Sequence, residues 1–405
     1  MANFRYKARD KFGKLVSGII SGSDREAIAS HLNTMGYLPI SIKEVSEIEL
    51  GLPKILDVFN RVTLSDINLF TRQLLTLQKS GVPLLSGLDI IEKQAKNKVF
   101  KDRLKEIIAD VEHGLSLSTA ISKYSQLFSE FYVNMIKAGE ASGQLDEVLA
   151  RLLEFGEKET DTRAKIKAAI RYPTITLAAL VVAFVIVVTF VIPKFSSVFS
   201  QYKTALPLPT RILLALSFLM QHYWYLMITA AAVLIFFFFR FINTKHGRFQ
   251  WDSFKLKTPI FGPLIEMLSM SRFTRTMSIL IKSGLPILQV LDMASRTSGN
   301  AVISRAVDNI TTSVKEGKGI SEPMRLSGVF PPIVVNMVAI GEDTGKVDEL
   351  LMSVSEYYDQ ESDYLMKNLT TMLEPMFVLA LGVMVLTMAL AIFLPMWNLI
   401  TIFRH

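Results

Sequence analysis

The chain contains one stretch twice, and any fold it adopts must accommodate both copies. Phe70-Thr71-Arg72 opens a helical pattern that runs to Lys79-Ser80-Gly81-Val82-Pro83. Phe273-Thr274-Arg275 opens another that runs to Lys282-Ser283-Gly284-Leu285-Pro286. After a one-residue deletion the correspondence continues through Asn134-Met135, Gly139-Glu140 and Gly143-Gln144-Leu145-Asp146-Glu147, matched by Asn336-Met337, Gly341-Glu342 and Gly345-Lys346-Val347-Asp348-Glu349. Each copy ends in an apolar run bracketed by prolines, Pro173 with Pro193 and Pro375 with Pro395. Each unit is therefore a polar helical module feeding one membrane-length segment.

The composition agrees. Of 405 residues, 50% are hydrophobic and only 20% charged, which suits a membrane protein with sizeable polar domains. The absence of cysteine excludes disulfides, thiolate metal sites and cysteine nucleophiles. The start, Met1-Ala2-Asn3-Phe4-Arg5-Tyr6-Lys7, has no apolar core of a signal peptide, so the N-terminus is expected in the cytoplasm. The net charge of +7 comes from basic residues that cluster beside apolar segments, which points to cytoplasmic membrane flanks rather than to nucleic acid.

Residues 1–45 read as a small ββαβ unit. Phe4, Tyr6 and Ala8 alternate with polar residues, Asp10 to Gly13 supply a turn, and Leu15 to Ile20 make a second strand. Ser23 and Asp24 can cap a helix from Arg25 to about Met35. Leu38 to Ile42 then reads as an edge strand, because Pro39 cannot donate to a ladder. Residues 46–62 are the linker. The first module, 63–172, starts at Thr63, an N-cap with Asp66 three residues on. Ile67, Phe70, Leu74 and Leu77 line one helix face, and Gly81 then Pro83 ends that helix. Further helices follow over Leu84–Ala95, Val99–Glu112, around Ala120 and through Met135. Gly139 to Gly143 reads as a turn before a long last helix.

That helix points at the membrane. Arg163, Lys165, Lys167 and Arg171 precede an uncharged run from Thr174 to Ile192, roughly 28 Å long at about 1.5 Å per residue. The first transmembrane helix is thus 173–192. Residues 193–222 form a periplasmic loop and interfacial helix, and 223–240 a second transmembrane helix with Tyr223, Trp224 and Tyr225 as its outer aromatic belt. A cytoplasmic connector, 241–262, leads into the second module, 263–374, the third transmembrane helix, 375–394, and a periplasmic tail, 395–405. The flanking charges of the third span are ambiguous, with Asp359, Glu361 and Asp363 before it and Arg404 after it. The repeat settles the expected orientation, since two equivalent modules belong in one compartment. The expected fold is mainly α: two repeated cytoplasmic six-helix bundles, three transmembrane helices and the small N-terminal α+β (ββαβ) unit.

Little in the chain carries chemistry. The five histidines show no metal-ligand spacing. Gly341-Glu342-Asp343-Thr344-Gly345-Lys346-Val347 fails as a phosphate loop, being one residue short between its glycines and having Val347 where Ser or Thr is required. Apart from Arg240 at the cytoplasmic end of the second, the three spans hold no Asp, Glu, Lys or Arg, which argues against ion-coupled transport. What remains are residues shared by both copies. Phe70 and Phe273 read as core anchors, and Gly81 and Gly284 as helix terminators. Arg72 and Arg275 fit either an ion pair within the module or a cation that meets a partner. Glu140, Asp146 and Glu147, with Glu342, Asp348 and Glu349, fit either helix-dipole partners or a docking or weak divalent-cation site.

Phe-Thr-Arg, Ser-Gly-x-Pro and Gly-Glu-x-x-Gly-x-x-Asp-Glu, present twice and each set leading to a span, resemble the inner-membrane platform proteins of type IV pili and type II secretion. The resemblance covers nearly the whole length and implies a non-enzymatic scaffold with no cofactor. It implies as partners a hexameric assembly ATPase on the cytoplasmic side, a retraction ATPase in pilus systems, pilin subunits, other inner-membrane alignment-complex proteins and further copies of the chain itself, with no nucleic acid. On this reading the eight shared charged residues are candidate partner contacts, and the long helices entering Pro173 and Pro375 pass movement into the spans, with the prolines as bend points. A type II secretion platform and, more remotely, a membrane transporter are the alternatives.

Overall fold

The computed structural model describes residues 2–9, 15–22, 25–34, 36–45, 61–194 and 208–402. The expected turn at Asp10–Gly13, the caps Ser23 and Asp24, the linker up to residue 60, most of the loop after Pro193 and the last three residues lie outside them. The chain divides into two compact units, 1–127 and 128–405. This partition runs through the stretch 63–172 rather than at its ends.

In the first unit, β1 (Ala2–Arg9) is the central strand of a three-stranded antiparallel sheet, flanked by β2 (Leu15–Gly22) and β3 (Leu38–Val45). Pro39 sits on edge strand β3 opposite Ala8, where the register shifts, so its missing N–H falls at an irregularity of the ladder. Helix α1 (Arg25–Thr34) packs Ile28 and Leu32 against Ile42 of β3. Helix α2 (Leu64–Lys79) is opened by a capping box: Thr63 Oγ1 accepts from the Asp66 N–H, and the Asp66 carboxylate accepts from the Thr63 N–H at 2.8 Å. Its Phe70 is buried and meets Phe100 of α4 (Lys98–Glu112) edge to face at 5.8 Å. Between them runs α3 (Leu84–Gln94), and α5 (Leu117–Ser122) closes the unit.

The second unit opens with α6 (Glu130–Ser142) and α7 (Leu145–Ile186), which continues without a break through Pro173. Gly139 lies inside α6, so the sequence reading of a turn from Gly139 to Gly143 is corrected: the turn is at Gly143 alone, with φ 70°. Gly139 serves closeness instead, since a Cβ there would stand 3.1 Å from the Val148 side chain and 3.2 Å from Leu145 Cα. The departure of α7 from α geometry comes beyond Pro173, in a π-helical turn at Val187–Val191. There the regular hydrogen-bond ladder is interrupted, and the Gln221 amide donates to the Thr189 carbonyl at 2.8 Å. Gln221 belongs to α8 (Leu208–His222), whose Leu213 packs on Val188 and Ile192. Helix α9 (Trp224–Ile242) follows after a break at Tyr223.

Helix α10 (Lys245–Lys257) turns back so sharply that a Cβ on Gly247 would lie 2.1 Å from the Phe241 carbonyl oxygen. The second copy of the repeat then forms α11 (Phe261–Lys282), α12 (Ile287–Thr297), α13 (Ala301–Lys315), α14 (Ser321–Ser327), α15 (Pro332–Thr344) and α16 (Val347–Ile402). In chain order these six match α2 to α7. Helix α11 is the centre of this half, with Met270, Phe273, Met277 and Leu280 fully buried and α16 packed along its length.

Among the described residues three helices are long and apolar enough to cross a membrane: α7 with its π turn, α9 and α16. Almost none of their apolar windows is buried against the rest of the protein, so these faces are left to lipid or to other chains.

The α15–α16 corner is tighter than its α6–α7 counterpart, because a Cβ on Gly341 would stand 2.7 Å from the Val347 Cα. Gly341→Ala is expected to destabilise the protein by about 1–3 kcal/mol despite the better helix propensity of alanine. Gly139→Ala is expected to cost less. Thermal unfolding of the two purified variants in detergent measures the difference, and equal melting temperatures would refute the close-approach account.

Candidate functional site

Where α7, α11 and α16 run together, the second unit holds a ladder of charge inside a helical core. At its centre is Asp359 of α16, 8% exposed. Its carboxylate accepts from the guanidinium of Arg275 and from Ser271 Oγ at 2.6 Å, both on α11, and lies 3.1 Å from Lys158 Nζ on α7. One rung along, Arg272 of α11 donates to Glu159 of α7 at 3.0 Å, and Arg163 holds the other oxygen of Glu159 at 2.7 Å. Further toward the span, Lys165 of α7 bridges Asp363 of α16 at 2.6 Å and Asp161 of its own helix at 2.7 Å.

The gap among Phe155, Lys158, Ser271, Arg272, Arg275 and Asp359 measures about 20 Å³, room for roughly one water and no larger ligand. Beyond Lys165 the seam turns apolar, with Leu264, Met366, Leu369 and Leu373 packed together and Ile166 and Ala169 of α7 against them. Two long helices are thus joined first by ion pairs and then by side-chain packing before they enter their apolar segments. The arrangement suits the transfer of force between helices and offers no group positioned for catalysis.

The residues singled out from sequence fall in different places. Arg275 is buried, and its charge is spent on Asp359. Arg72 lies on the exposed side of α2. Glu342 caps a neighbouring helix: its two oxygens accept from the Ile320 and Ser321 N–H groups at 2.5 and 3.0 Å, at the start of α14, and Gly319 leaves room for the approach. Glu140 is half-buried on α6. Asp146 and Glu147 are exposed in the first turn of α7, with Glu147 paired to Arg151. Asp348 is half-buried and lends its carbonyl to Ser278, whereas Glu349 is exposed and lies 3.6 Å from Lys346. Among the described residues no three carboxylate or histidine side chains converge as a metal site would require.

Sequence reasoning did not single out Lys158, Glu159, Lys165, Arg272, Asp359 or Asp363 as a site. One signal was available. The repeat places Glu157 at the position of Asp359 and Arg72 at that of Arg275, so an acid and a base recur together at matched points of both copies.

Residues 70–193 and 273–395 each match the family described as type II secretion system (T2SS), protein F, and residues 1–43 match the N-terminal domain of the same protein. The chain belongs to the type II secretion system protein F family. A relative from Thermus thermophilus, named type IV pilus assembly protein PilC, is 36% identical over 99% of this chain and 98% of its own length. The protein of the same name from Myxococcus xanthus is 32% identical over 98% of this chain and 95% of its own. Type II secretion system protein F of Vibrio cholerae is 29% identical over 98% of each chain. In this protein F family member the duplicated family domain therefore coincides with the two copies read from the sequence.

Removing one partner of a buried pair strands the other charge, at about 3–5 kcal/mol. Arg275→Met is expected to lower stability by that amount, and adding Asp359→Leu to recover most of the loss. Chemical denaturation of the single and double variants tests the pairing, and a double variant no better than the single would overturn it.

A second charge nearby is less well served. Burial holds the carboxyl of Glu266 on α11 above its ordinary range, and burial together with the Glu266 charge pushes the Tyr358 hydroxyl upward. A raised carboxyl pKa means that the folded state favours the protonated form. The penalty is therefore absent at acid pH and sets in as pH rises through the window above the ordinary carboxyl value. Glu266→Gln is accordingly expected to raise the melting temperature at pH 7 and to leave it nearly unchanged at pH 4.

Proposed function

We propose that the protein is the inner-membrane platform of a type IV pilus assembly machine, a scaffold rather than an enzyme, with both helical modules and the N-terminus in the cytoplasm and the C-terminal tail in the periplasm. The observation that carries this reading is a duplicated helical module whose last helix, in both copies, continues without interruption into a membrane-length segment. Such a helix delivers any displacement of the polar half to the apolar half. Full-length likeness to proteins named for pilus assembly, at higher identity than to the secretion relative, favours pili over secretion.

In this reading a cytoplasmic assembly ATPase, with a retraction ATPase as its counterpart, pushes on the modules. Other inner-membrane proteins of the machine and further copies of the chain hold the platform in place. The spans pass the motion to pilins leaving the bilayer. Arg72, Asp146, Glu147 and Glu349 are exposed and are the candidate contacts for the ATPase. The ladder between α7, α11 and α16 makes the two long helices respond together. Pro173 and Pro375 stand where each helix enters its apolar segment, positions suited to bending.

The test uses a strain lacking the native gene and complemented with variants. Asp363→Lys places two cations against each other at the Lys165 rung. It is expected to leave capture of the ATPase by the solubilised chain intact while reducing pilus number at least tenfold, and adding Lys165→Asp is expected to restore pili. Normal piliation by Asp363→Lys would remove the coupling role. Lost export of secreted proteins with normal pili would assign the platform to secretion instead.

A further inference from the structure

We infer that the corner between α9 and α10 is a binding site for the headgroup of an anionic phospholipid. This site is separate from the ladder and does not depend on the pilus reading. Helix α9 is apolar and exposed all round up to Phe239, then Arg240 follows and the chain reverses through Thr244 into α10. The reversal is enforced by Gly247, which no side chain could replace without striking the Phe241 carbonyl. The first turn of α10 is thereby held directly beneath the end of a membrane-length helix.

Three aromatic rings mark the depth. Phe238 of α9 meets Trp251 of α10 edge to face at 5.2 Å, Trp251 stacks on Phe254 at 5.7 Å, and Phe238 and Phe254 remain largely exposed. The ring of Trp251 is amphipathic and belongs where acyl chains give way to headgroups, with the two phenylalanines beside it on the apolar side.

Beside them an open groove of about 780 Å³ runs between α10, α12 and α13. Lys245, His246 and Arg248 enter it from α10, and Arg305 from α13 with its guanidinium over the Phe249 ring at 5.2 Å. The acids of the groove have partners within its lining: Asp292 pairs with Arg296 at 3.2 Å, and Asp308 accepts from Ser295 at 3.0 Å. Among the described residues Lys245, Arg248 and Arg305 have no carboxylate within 4.0 Å, and all three are exposed. Lys245 and Arg248 stand in the first turn of α10, where a cation gains nothing from the helix dipole, so folding does not account for those two. An anion between α10 and α13 does. Two guanidiniums and an ammonium line the one groove, donors of the kind a phosphodiester accepts from, and the exposed rings take the adjoining acyl chains. The charge, the depth and the continuity with α9 select a membrane lipid over a soluble anion.

Native mass spectrometry of the full-length chain in mild detergent, titrated with phosphatidylglycerol or phosphatidylcholine, tests this. Phosphatidylglycerol is expected to be retained in preference. Each basic residue at an anionic surface contributes roughly a factor of five, so Arg248→Gln with Arg305→Gln is expected to weaken retention at least tenfold. Arg325→Gln, a surface cation paired with Glu322 on α14, is expected to change nothing. Lys245→Gln with Arg248→Gln leaves the Arg305–Phe249 contact in place and gives the same reading should loss of that contact disturb the fold. Equal retention of the two lipids, undiminished phosphatidylglycerol binding by both double variants, or full displacement of the lipid by an equal concentration of inorganic phosphate would each overturn the assignment.

Discussion

A carboxylate sealed between three helices determines what may surround it. Asp359 has almost no access to water, and a bare ion there would cost several kcal/mol in lost solvation. It is tolerable because Arg275, Ser271 and Lys158 converge on it from two other helices. That requirement fixes more than one side chain. It sets the rotation of α11 about its axis, and it holds α7 at the distance a lysine side chain can reach. The rungs at Glu159 and Asp363 repeat the constraint toward the spans, so the three helices are registered along their length as well as packed.

The register matters because two of these helices do not end. Helix α7 runs into a π turn and α16 continues to Ile402, and both change from polar to apolar surroundings without a loop. A helix carries its own backbone hydrogen bonds, so it can pass from water into hydrocarbon where a strand or loop could not. The one irregular turn, at Val187–Val191, is served by Gln221 from α8. The polar half of the molecule is thereby wired to the apolar half by continuous rods, and the ladder joins the rods to each other. The proposed passage of movement across a membrane surface would use both properties.

Much of this was legible in advance. The helices, their order and the three apolar segments follow from periodicity, caps and run length, which are local properties of the chain. The capping box at Thr63 and the positive φ of Gly81, Gly143, Gly284 and Gly345 are of the same kind. The duplicated motif was legible as a motif but not in the use of its parts. The glycine spacing makes Gly139 look like the start of a turn, although it lies inside a helix at a close crossing. Glu342 fits docking or dipole compensation by its sequence, and it caps a helix that starts twenty-one residues earlier in the chain. Arg275 left two readings open until Asp359 was seen beside it.

By itself, then, the sequence determined the elements, the duplication and the membrane-length segments, because each depends on residues within a few turns of one another. Tertiary structure decided which charges meet. Lys165 and Asp363 are 198 positions apart, and Arg272 finds its partner on a helix of the other copy. No periodicity encodes a contact between copies, since the repeat predicts like positions in like surroundings. Yet α7 and α16 occupy different places against α11. The pairing arises from how three helices share one core, and only their packing brings opposite charges close enough for attraction to outweigh the loss of water.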